Sequence, residues 1–348
     1  MNKCFFLGAN SAAGFYSLYD KFPTEGSFLH IIKAGPGTGK STFMRKIGKA
    51  AEDKGWDVEY ILCSGDPSSL DGVYITQLNQ AWVDGTAPHI TEPRLFGVNS
   101  DYVNLGKFLN NDFSNSEVDK ISELTRIYKS KYRQAYDYLS AAESINKAAI
   151  PDLFGPPGRN AIKRRVNSIL KRNLGHGTGR QGKAYYRFIS AISCLGIYRL
   201  NCFVNELCKL KYQFDTSLKG LSYALEYAAE EAMRRGADVI ICPSPLNPSE
   251  IEAVLIPSCS LALLGNDWEF EDAKSVHIDN MADLRQLQNC KAEIKVAGKV
   301  QKKTLELACC KLQSAKALHD ELEEIYKSHM DFSALNAYTE SYIKKLLH

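Results

Sequence analysis

The residues with the plainest chemical capability are a run of glycines that ends in a lysine and two hydroxyl side chains. Residues 34–42 read Ala-Gly-Pro-Gly-Thr-Gly-Lys-Ser-Thr. Residues 28–33, directly before them, are apolar and favour a strand, whereas residues 43–51 have the character of a helix. A glycine loop between a strand and a helix is the setting of a Walker A motif, which binds nucleotide phosphates.

The glycines of this segment matter because of the backbone angles that they allow. Gly35, Gly37 and Gly39 can adopt dihedral angles that side chains forbid, so several N–H groups can point at one anion. A helix that starts near Lys40 adds the positive end of its dipole. The alternative is a glycine-rich turn with a lysine there by chance, and the flanking strand and helix argue against it.

Three side chains at the end of the motif have separate expected roles. Lys40 is expected to reach the β- and γ-phosphates, and Ser41 to place its hydroxyl on Mg²⁺. Thr42 is expected to contact the α-phosphate. The predicted cofactor-binding residues are Gly35, Pro36, Gly37, Thr38, Gly39, Lys40, Ser41 and Thr42, and the predicted cofactors are ATP and Mg²⁺.

An acidic partner for the metal is expected at the end of a neighbouring strand. Asp84 follows a predicted strand over residues 78–83, and an acid in that position can hold Mg²⁺ through water. Asp84 is therefore the predicted second metal residue beside Ser41, with loop capping as the alternative role. Asp66 and Asp71, after a predicted strand over residues 57–63, are rivals that turn formation explains equally well.

A water-activating residue is missing from the expected place. ATP-hydrolysing motors place a glutamate directly after the metal-binding aspartate, but residues 85–89 read Gly-Thr-Ala-Pro-His. His89 is a candidate base or γ-phosphate sensor, and a structural role at a turn is the alternative. The predicted catalytic residues are thus Lys40, Asp84 and His89. Hydrolysis is expected to be slow or to need a partner.

The chain carries signs of an internal duplication. A shift of 181 residues places residues 54–58 on 235–239, residues 66–68 on 247–249, and residues 73–75 on 254–256. One further residue of shift places residues 14–16 on 196–198. This order of matches indicates two homologous halves. An unrelated second α/β domain is the alternative.

The second copy has lost the residues that would bind phosphate. Residues 34–41 fall on residues 215–222, where only one glycine survives. The position of Lys40 is taken by Leu221, and that of Asp84 by Gly265. Asp215 at the start of this segment would repel an anion. A single working site, in the first half, is therefore predicted.

These patterns predict an α/β fold of two tandem P-loop NTPase-like domains. Each is expected to have a mostly parallel sheet and a helical appendage, with a degenerate loop in the second copy. Helical spacing over residues 116–147, and over 305–347 with a break near 330–333, indicates the appendages. The predicted domains are residues 1–155, with the intact motif, and 156–348, with a basic linker and C-terminal helices.

Composition and charge limit the classes of partner. Hydrophobic residues make up 45% of the 348 residues, which excludes global disorder. The net charge of +3 is too balanced to indicate a nucleic-acid or membrane partner. Residues 159–187 nevertheless hold nine cations and no acid. This stretch is predicted as a phosphate-facing lid, a source of an arginine or a patch for an anionic partner, with a solvated helix and linker as the alternative. Ten cysteines without a C-x-x-C pair indicate reduced thiols and a cytoplasmic location.

Several segments together resemble a bacterial family of tandem P-loop NTPase proteins described as ATPases. The resemblance lies in residues 6–17, 35–42, 63–73, 83–89 and 314–322, and it is strongest in residues 1–90. It implies two P-loop domains and ATP binding, but no substrate or process. Both halves carry a phosphate loop in that family, and the loss of the second loop here puts a two-site mechanism in doubt.

The function predicted from the sequence is a Mg²⁺-dependent ATPase with one site in the first half. ATP is preferred to GTP because the chain has no N/T-K-x-D guanine signature. A small-molecule or nucleotide kinase is the first alternative, since the missing glutamate suits phosphotransfer. A non-catalytic scaffold that senses ATP is the second. Phosphate release without an acceptor distinguishes the ATPase from both.

Overall fold

A computed structural model describes residues 3–23, 26–86, 91–93, 95–174, 180–216 and 218–347. Over these residues the chain is an α/β protein with two mixed sheets of six strands each, two small hairpin sheets and seven α-helices. No helix among the described residues has the length and apolarity to cross a membrane.

The first half contains eight strands and three α-helices. In its central part a strand, a loop and a helix are followed by a run of short strands. The strands are β1 (Lys3–Phe6), β2 (Gly8–Ser11), β3 (Gly14–Ser17), β4 (Phe28–Lys33), β5 (Val58–Leu62), β6 (Leu70–Ile75), β7 (Gln80–Asp84) and β8 (Ser100–Asn104). The helices are α1 (Lys40–Glu52), α2 (Asn115–Ala149) and α3 (Pro156–Leu174).

The second half repeats this order with one additional short helix. Its strands are β9 (Ala184–Tyr186), β10 (Ser190–Ser193), β11 (Gly196–Arg199), β12 (Leu210–Asp215), β13 (Val239–Pro243), β14 (Ile251–Ile256), β15 (Leu261–Leu264) and β16 (Lys274–His277). Its helices are α4 (Asn201–Leu207), α5 (Gly220–Arg234), α6 (Leu284–Ser328) and α7 (Phe332–Leu347).

The two large sheets have the same strand order. The first runs β1-β5-β6-β7-β4-β8 and the second β9-β13-β14-β15-β12-β16. β5, β6 and β7 begin 181 residues before β13, β14 and β15, as the sequence shift requires. The predicted arrangement of two tandem α/β units is therefore confirmed, and an identical order in both units is what a duplication produces.

The sheets are mixed, so the prediction that they are mostly parallel holds for only three of the five strand pairs in each sheet. β1–β5, β7–β4 and β4–β8 pair in parallel, whereas β5–β6 and β6–β7 pair antiparallel. The cause is the strand β6, whose connections to β5 and β7 are too short for a parallel crossover. Asp71 and Gly72, which suggest a turn by type, lie inside this strand, and Asp71 is buried.

The long helices cross from one half to the other. α2 and α6 run antiparallel: His329, just after α6, contacts Asp112 before α2, and at the other end Asp283 N–H donates to the Leu153 carbonyl at 3.0 Å. α2 begins with a capping box between Ser114 and Glu117. The predicted helix over residues 116–147 is thus confirmed, while α6 begins well before residue 305.

The last helix of each half packs on the sheet of the other half. Residues of α3 join the core of the second sheet, and the preceding Leu153 and Phe154 are buried there as well. α7 joins the core of the first sheet, where Tyr342 accepts a hydrogen bond of 2.9 Å from the buried indole of Trp82. α7 lies after the predicted domain boundary at residue 155, yet it completes the core of the first domain.

The two halves meet around a local two-fold relation. Phe6 and Phe188 exchange backbone hydrogen bonds of 2.9 and 3.0 Å. Further out, Cys194 N–H donates to the Gly65 carbonyl at 3.0 Å. Its symmetric counterpart is the bond of 2.9 Å from Ala12 N–H to the Leu246 carbonyl. One apolar core runs through this contact and includes residues of both halves.

Candidate functional site

The glycine loop (residues 34–39) connects the buried strand β4 to α1. Gly37 has a φ of 68° and Gly39 a φ of 85°, angles at which a side chain is strained. Gly39 caps the N-terminus of α1, and the buried face of that helix includes Phe43 and Met44. The predicted strand, loop and helix are therefore present, with the helix N-terminus at Lys40.

Lys40 lies across its own loop and faces an acid. Its Nζ donates to the carbonyls of Gly35 at 2.7 Å and Ala34 at 3.2 Å. The Oδ2 atom of Asp84 is 3.6 Å from the same Nζ, and both side chains are only 13% exposed. A partly buried cation and anion at this distance compensate each other's desolvation.

Asp84 is placed by the pairing of β7 with β4. The two strands are parallel, and Asp84 is opposite Ile32, one residue before the last of β4. The Oδ1 atom of Asp84 accepts hydrogen bonds from Thr86, from N–H at 2.9 Å and from Oγ1 at 2.6 Å. These bonds fix the carboxylate and leave Oδ2 directed at Lys40.

The hydroxyl side chains of the motif are distributed around the loop. Thr38 is buried and its Oγ1 donates to the Gly35 carbonyl at 2.7 Å, which braces the loop. The Oγ of Ser41 accepts a hydrogen bond of 3.0 Å from Leu70 N–H and keeps a second lone pair for a metal. Thr42 is exposed on α1. Ser41 and Asp84 are hard oxygen donors, as Mg²⁺ requires.

The other sequence candidates lie in different settings. Asp66 closes a turn by accepting from the Ser68 hydroxyl at 2.6 Å, and its Oδ2 atom is 3.3 Å from the Nζ of Lys316. Burial alone would raise the pKa of Asp66, but the Ser68 hydrogen bonds and the Lys316 charge lower it. Asp71 lies within β6. His89 is outside the described residues.

The C-terminal helices cover the glycine loop, which sequence reasoning missed. A Cβ atom on Gly37 would lie 2.7 Å from the carbonyl oxygen of Glu323 in α6. One on Gly35 would lie 3.5 Å from the ring of Tyr326, and one on Gly39 would lie 3.1 Å from Leu335 in α7. The only sequence signal was the family resemblance over residues 314–322, which implied no role.

α6 brings a cluster of ionisable side chains to this edge. Lys316 pairs with Asp320 and with Asp66, and His319 Nδ1 is 3.5 Å from Glu323 Oε1. Burial lowers the pKa of His319. Single ligand atoms of His319, Asp320 and Glu323 all lie within 4.8 Å of one another. Because Lys316 holds Asp320, we assign no metal to this cluster.

The corresponding loop in the second half differs in sequence but is covered in a similar way. Four residues, 216–219, separate β12 from α5, against six in the glycine loop. The ring of Phe154 fills the position above Gly220, where a Cβ atom would lie 2.7 Å from it. Asp215 pairs with His277 at 2.7 Å. A loop that keeps one glycine, lacks the motif lysine and is bordered by an acid supports the prediction of a single site.

The basic stretch over residues 159–187 is divided among several surroundings. Arg164, Arg165, Lys171 and Arg172 are exposed on α3. Arg187 is buried, with its guanidinium 4.4 Å from the centre of the Phe5 ring. Within the described part of this stretch, the recorded contacts of the cations do not reach residues 34–42. They therefore give no support to a lid on the glycine loop.

Comparisons with protein-family models, with curated proteins and with solved structures find no match to this chain. The resemblance to tandem P-loop NTPases thus stays a prediction from the sequence. The case for a function rests on the geometry of the glycine loop, on Lys40 and Asp84, and on the helices that cover them.

Proposed function

We propose that the first half binds ATP with Mg²⁺ and hydrolyses it at a single site. The observation that carries the proposal is the approach of Lys40 Nζ to Asp84 Oδ2 at 3.6 Å, beside a loop with two glycines at positive φ. This arrangement joins a cation for the phosphates, a carboxylate for the metal and a helix N-terminus at one sheet edge.

The loop and Lys40 supply the anion contacts. Backbone N–H groups of the glycine loop and the first turn of α1 would surround the β-phosphate. Lys40 would exchange its bonds to the carbonyls of Gly35 and Ala34 for phosphate oxygens. Phosphate oxygens carry a negative charge that carbonyl oxygens lack, so the Coulombic attraction to Lys40 favours the bound state.

Ser41 and Asp84 are the residues that would hold Mg²⁺. The metal would neutralise charge on the phosphates, and Thr86 would keep Asp84 oriented through its two hydrogen bonds. The second half supports hydrolysis at one site, because Leu221 takes the position of Lys40 there and Gly265 takes that of Asp84. Phosphate release without an added acceptor would favour hydrolysis over phosphotransfer.

Lys40→Ala tests the proposal. Because Lys40 would make charge-assisted bonds to two phosphates, at roughly 1.5–3 kcal/mol each, ATP affinity should fall at least about 100-fold. Calorimetric titration with ATP and Mg²⁺ measures this loss, and a phosphate-release assay follows turnover. Lys49→Ala, on the same helix in an exposed pair with Asp53 at 2.6 Å, is the matched control and should bind normally. Unchanged ATP binding by Lys40→Ala would refute the proposed site.

A further inference from the structure

Among the described residues, the proposed site has no group that activates water directly after the metal-binding acid. Asp84 is followed by Gly85 and Thr86, and the Thr86 hydroxyl donates to Asp84. Hydrolysis of a phosphoanhydride nevertheless needs a residue that orients the attacking water and accepts its proton. His89 is outside the described residues, and among the described elements α6 brings ionisable side chains to the glycine loop.

α6 reaches the glycine loop from outside the first sheet, as α7 does at Gly39. Besides the close approach of its carbonyl oxygen, the Cα of Glu323 would be 3.1 Å from a Cβ atom on Gly37. His319 precedes Glu323 by four residues, one helical turn, so the two side chains share a face. The Nδ1 atom of His319 is 3.5 Å from Oε1 of Glu323.

His319 lies between charges of both signs. Glu323 and Asp320 on its own helix favour its charged form, whereas Lys316 and Lys40 disfavour it. The ring of Tyr128 from α2 meets the imidazole edge-on, with ring centres 5.8 Å apart. Burial is the largest influence and lowers the pKa of His319, so the imidazole is neutral at pH 7 and can accept a proton.

We infer that His319, oriented by Glu323, is the general base that activates the attacking water, and that α6 thus delivers the group which β7 lacks. This inference rests on the proposed function. Nδ1–H faces Glu323, which leaves Nε2 as the acceptor, and the 3.5 Å separation is of the kind that tightens when substrate binds.

The step balances in atoms and charge. The water oxygen forms a bond to the γ-phosphorus while Nε2 of His319 takes one proton of that water. The bond between the γ-phosphorus and the β–γ bridging oxygen breaks, and ADP leaves with the electron pair. The imidazolium is stabilised by Glu323 and then returns its proton to phosphate or solvent.

Lys316 fixes the position of the helical turn that carries His319. Its Nζ contacts Asp320 on α6 and lies 3.3 Å from Asp66 in the loop after β5. The side chain therefore pins this turn of α6 to the first half. Asp320 is engaged in this anchor, which leaves Glu323 as the carboxylate that orients the imidazole.

Matched variants of the full chain test the inference. ATP-analogue binding should stay within about twofold in His319→Gln and Glu323→Gln, whereas single-turnover phosphate release should fall about 100-fold and about tenfold respectively. Glu324→Gln, at the next residue and paired with Lys327 at 2.8 Å, is the control and should release phosphate at the wild-type rate. Release by the wild type should rise with pH through the lowered pKa of His319, and this rise should be absent in His319→Gln. In Glu323→Gln the rise in release should occur at still lower pH than in the wild type, because Glu323 raises the pKa of His319.

The possible outcomes separate the inference from the proposed function. Wild-type release by His319→Gln would overturn the inference and leave nucleotide binding intact. Equal losses in Glu323→Gln and Glu324→Gln would also overturn it, since they would show a general effect on α6. A wild-type chain that binds ATP without releasing phosphate would overturn both the base and the proposed hydrolysis, whereas a chain that does not bind ATP would remove the whole proposed function.

Discussion

At the scale of single residues, the ion pair of Lys40 and Asp84 sets the character of the site. Both side chains are 13% exposed, so neither charge is freely hydrated, and each needs a counter-charge. In the proposed function, an incoming phosphate would replace Asp84 as the partner of Lys40, and a metal would replace Lys40 as the partner of Asp84. The pair thus holds two ligand positions ready without leaving either charge alone.

Gly37 is the residue at which the loop depends on α6, and an alanine there should be costly. Gly37→Ala should lower the free energy of unfolding by about 1–2 kcal/mol because of the positive φ. It should lower it by about 1–3 kcal/mol more by displacing Glu323, whose carbonyl oxygen would be 2.7 Å from the new Cβ. The midpoint of urea unfolding measures the sum. Gly55 has a similar φ of 76°, and a Cβ atom there would have no atom within 4 Å. Gly55→Ala should therefore lose only the stability that the positive φ accounts for. Equal midpoints for the two variants would show that α6 does not press on the loop.

At the scale of elements, His329 joins the end of α6 to the start of α2. Its Nδ1 atom is 2.7 Å from Asp112 and its Nε2 atom is 3.1 Å from Glu117. Hydrogen bonds to these two carboxylates raise the pKa of His329, and hydrogen bonds from Ser114 and from His329 lower that of Glu117 to about 2. The contact is therefore an ion pair at mildly acidic pH.

This pair predicts a pH dependence of stability. A raised histidine pKa contributes stability that is fully present below the ordinary value of 6.5 and is lost as the pH rises through the raised value. From about pH 6 to about pH 9 the melting temperature of the wild type should fall by about 1–2 °C more than that of His329→Gln. Differential scanning calorimetry at constant ionic strength measures this. Parallel curves for wild type and His329→Gln would contradict the prediction.

The elements also show what the sequence could reveal. The glycine loop, α1 and Asp84 follow from local patterns, because glycines, a strand and a helix are adjacent in the chain. The sequence did not predict β6, because Asp71 and Gly72 are residue types that suggest a turn. Gly72 is needed there because a Cβ atom would lie 2.6 Å from Ile61 on β5. His319 and Glu323 could not be placed by any local pattern, since helical periodicity does not specify which sheet a distant helix covers.

At the scale of the whole molecule, the crossing of the C-terminal helices makes the two halves interdependent. α7 covers Trp82 and Phe43 in the first core, while Leu153 and Phe154 complete the second core. Large side chains such as these contribute about 1.5–3 kcal/mol each when fully buried. Each half therefore lacks part of its core in its own continuous segment.

Separate fragments should reveal this dependence. A fragment of residues 1–155 lacks α7, so it should aggregate or unfold without a cooperative transition, and the fragment of residues 156–348 should be destabilised by the loss of Leu153 and Phe154. Co-expression should restore a soluble pair. Circular dichroism melts and gel filtration distinguish these states. Wild-type-like cooperative melting of the isolated first fragment would contradict the prediction.

The position of α7 along the chain also orders events during synthesis. The first sheet is complete at Asn104, but its cover begins at Phe332, 228 residues later. At about 5–20 residues per second, a ribosome needs about 10–45 s to cover that distance. Throughout this interval the nascent first half lacks the cover that α7 gives to Trp82 and to the glycine loop. An interrupted translation product therefore carries the intact motif without a finished site, so truncated chains should not compete for nucleotide with complete ones.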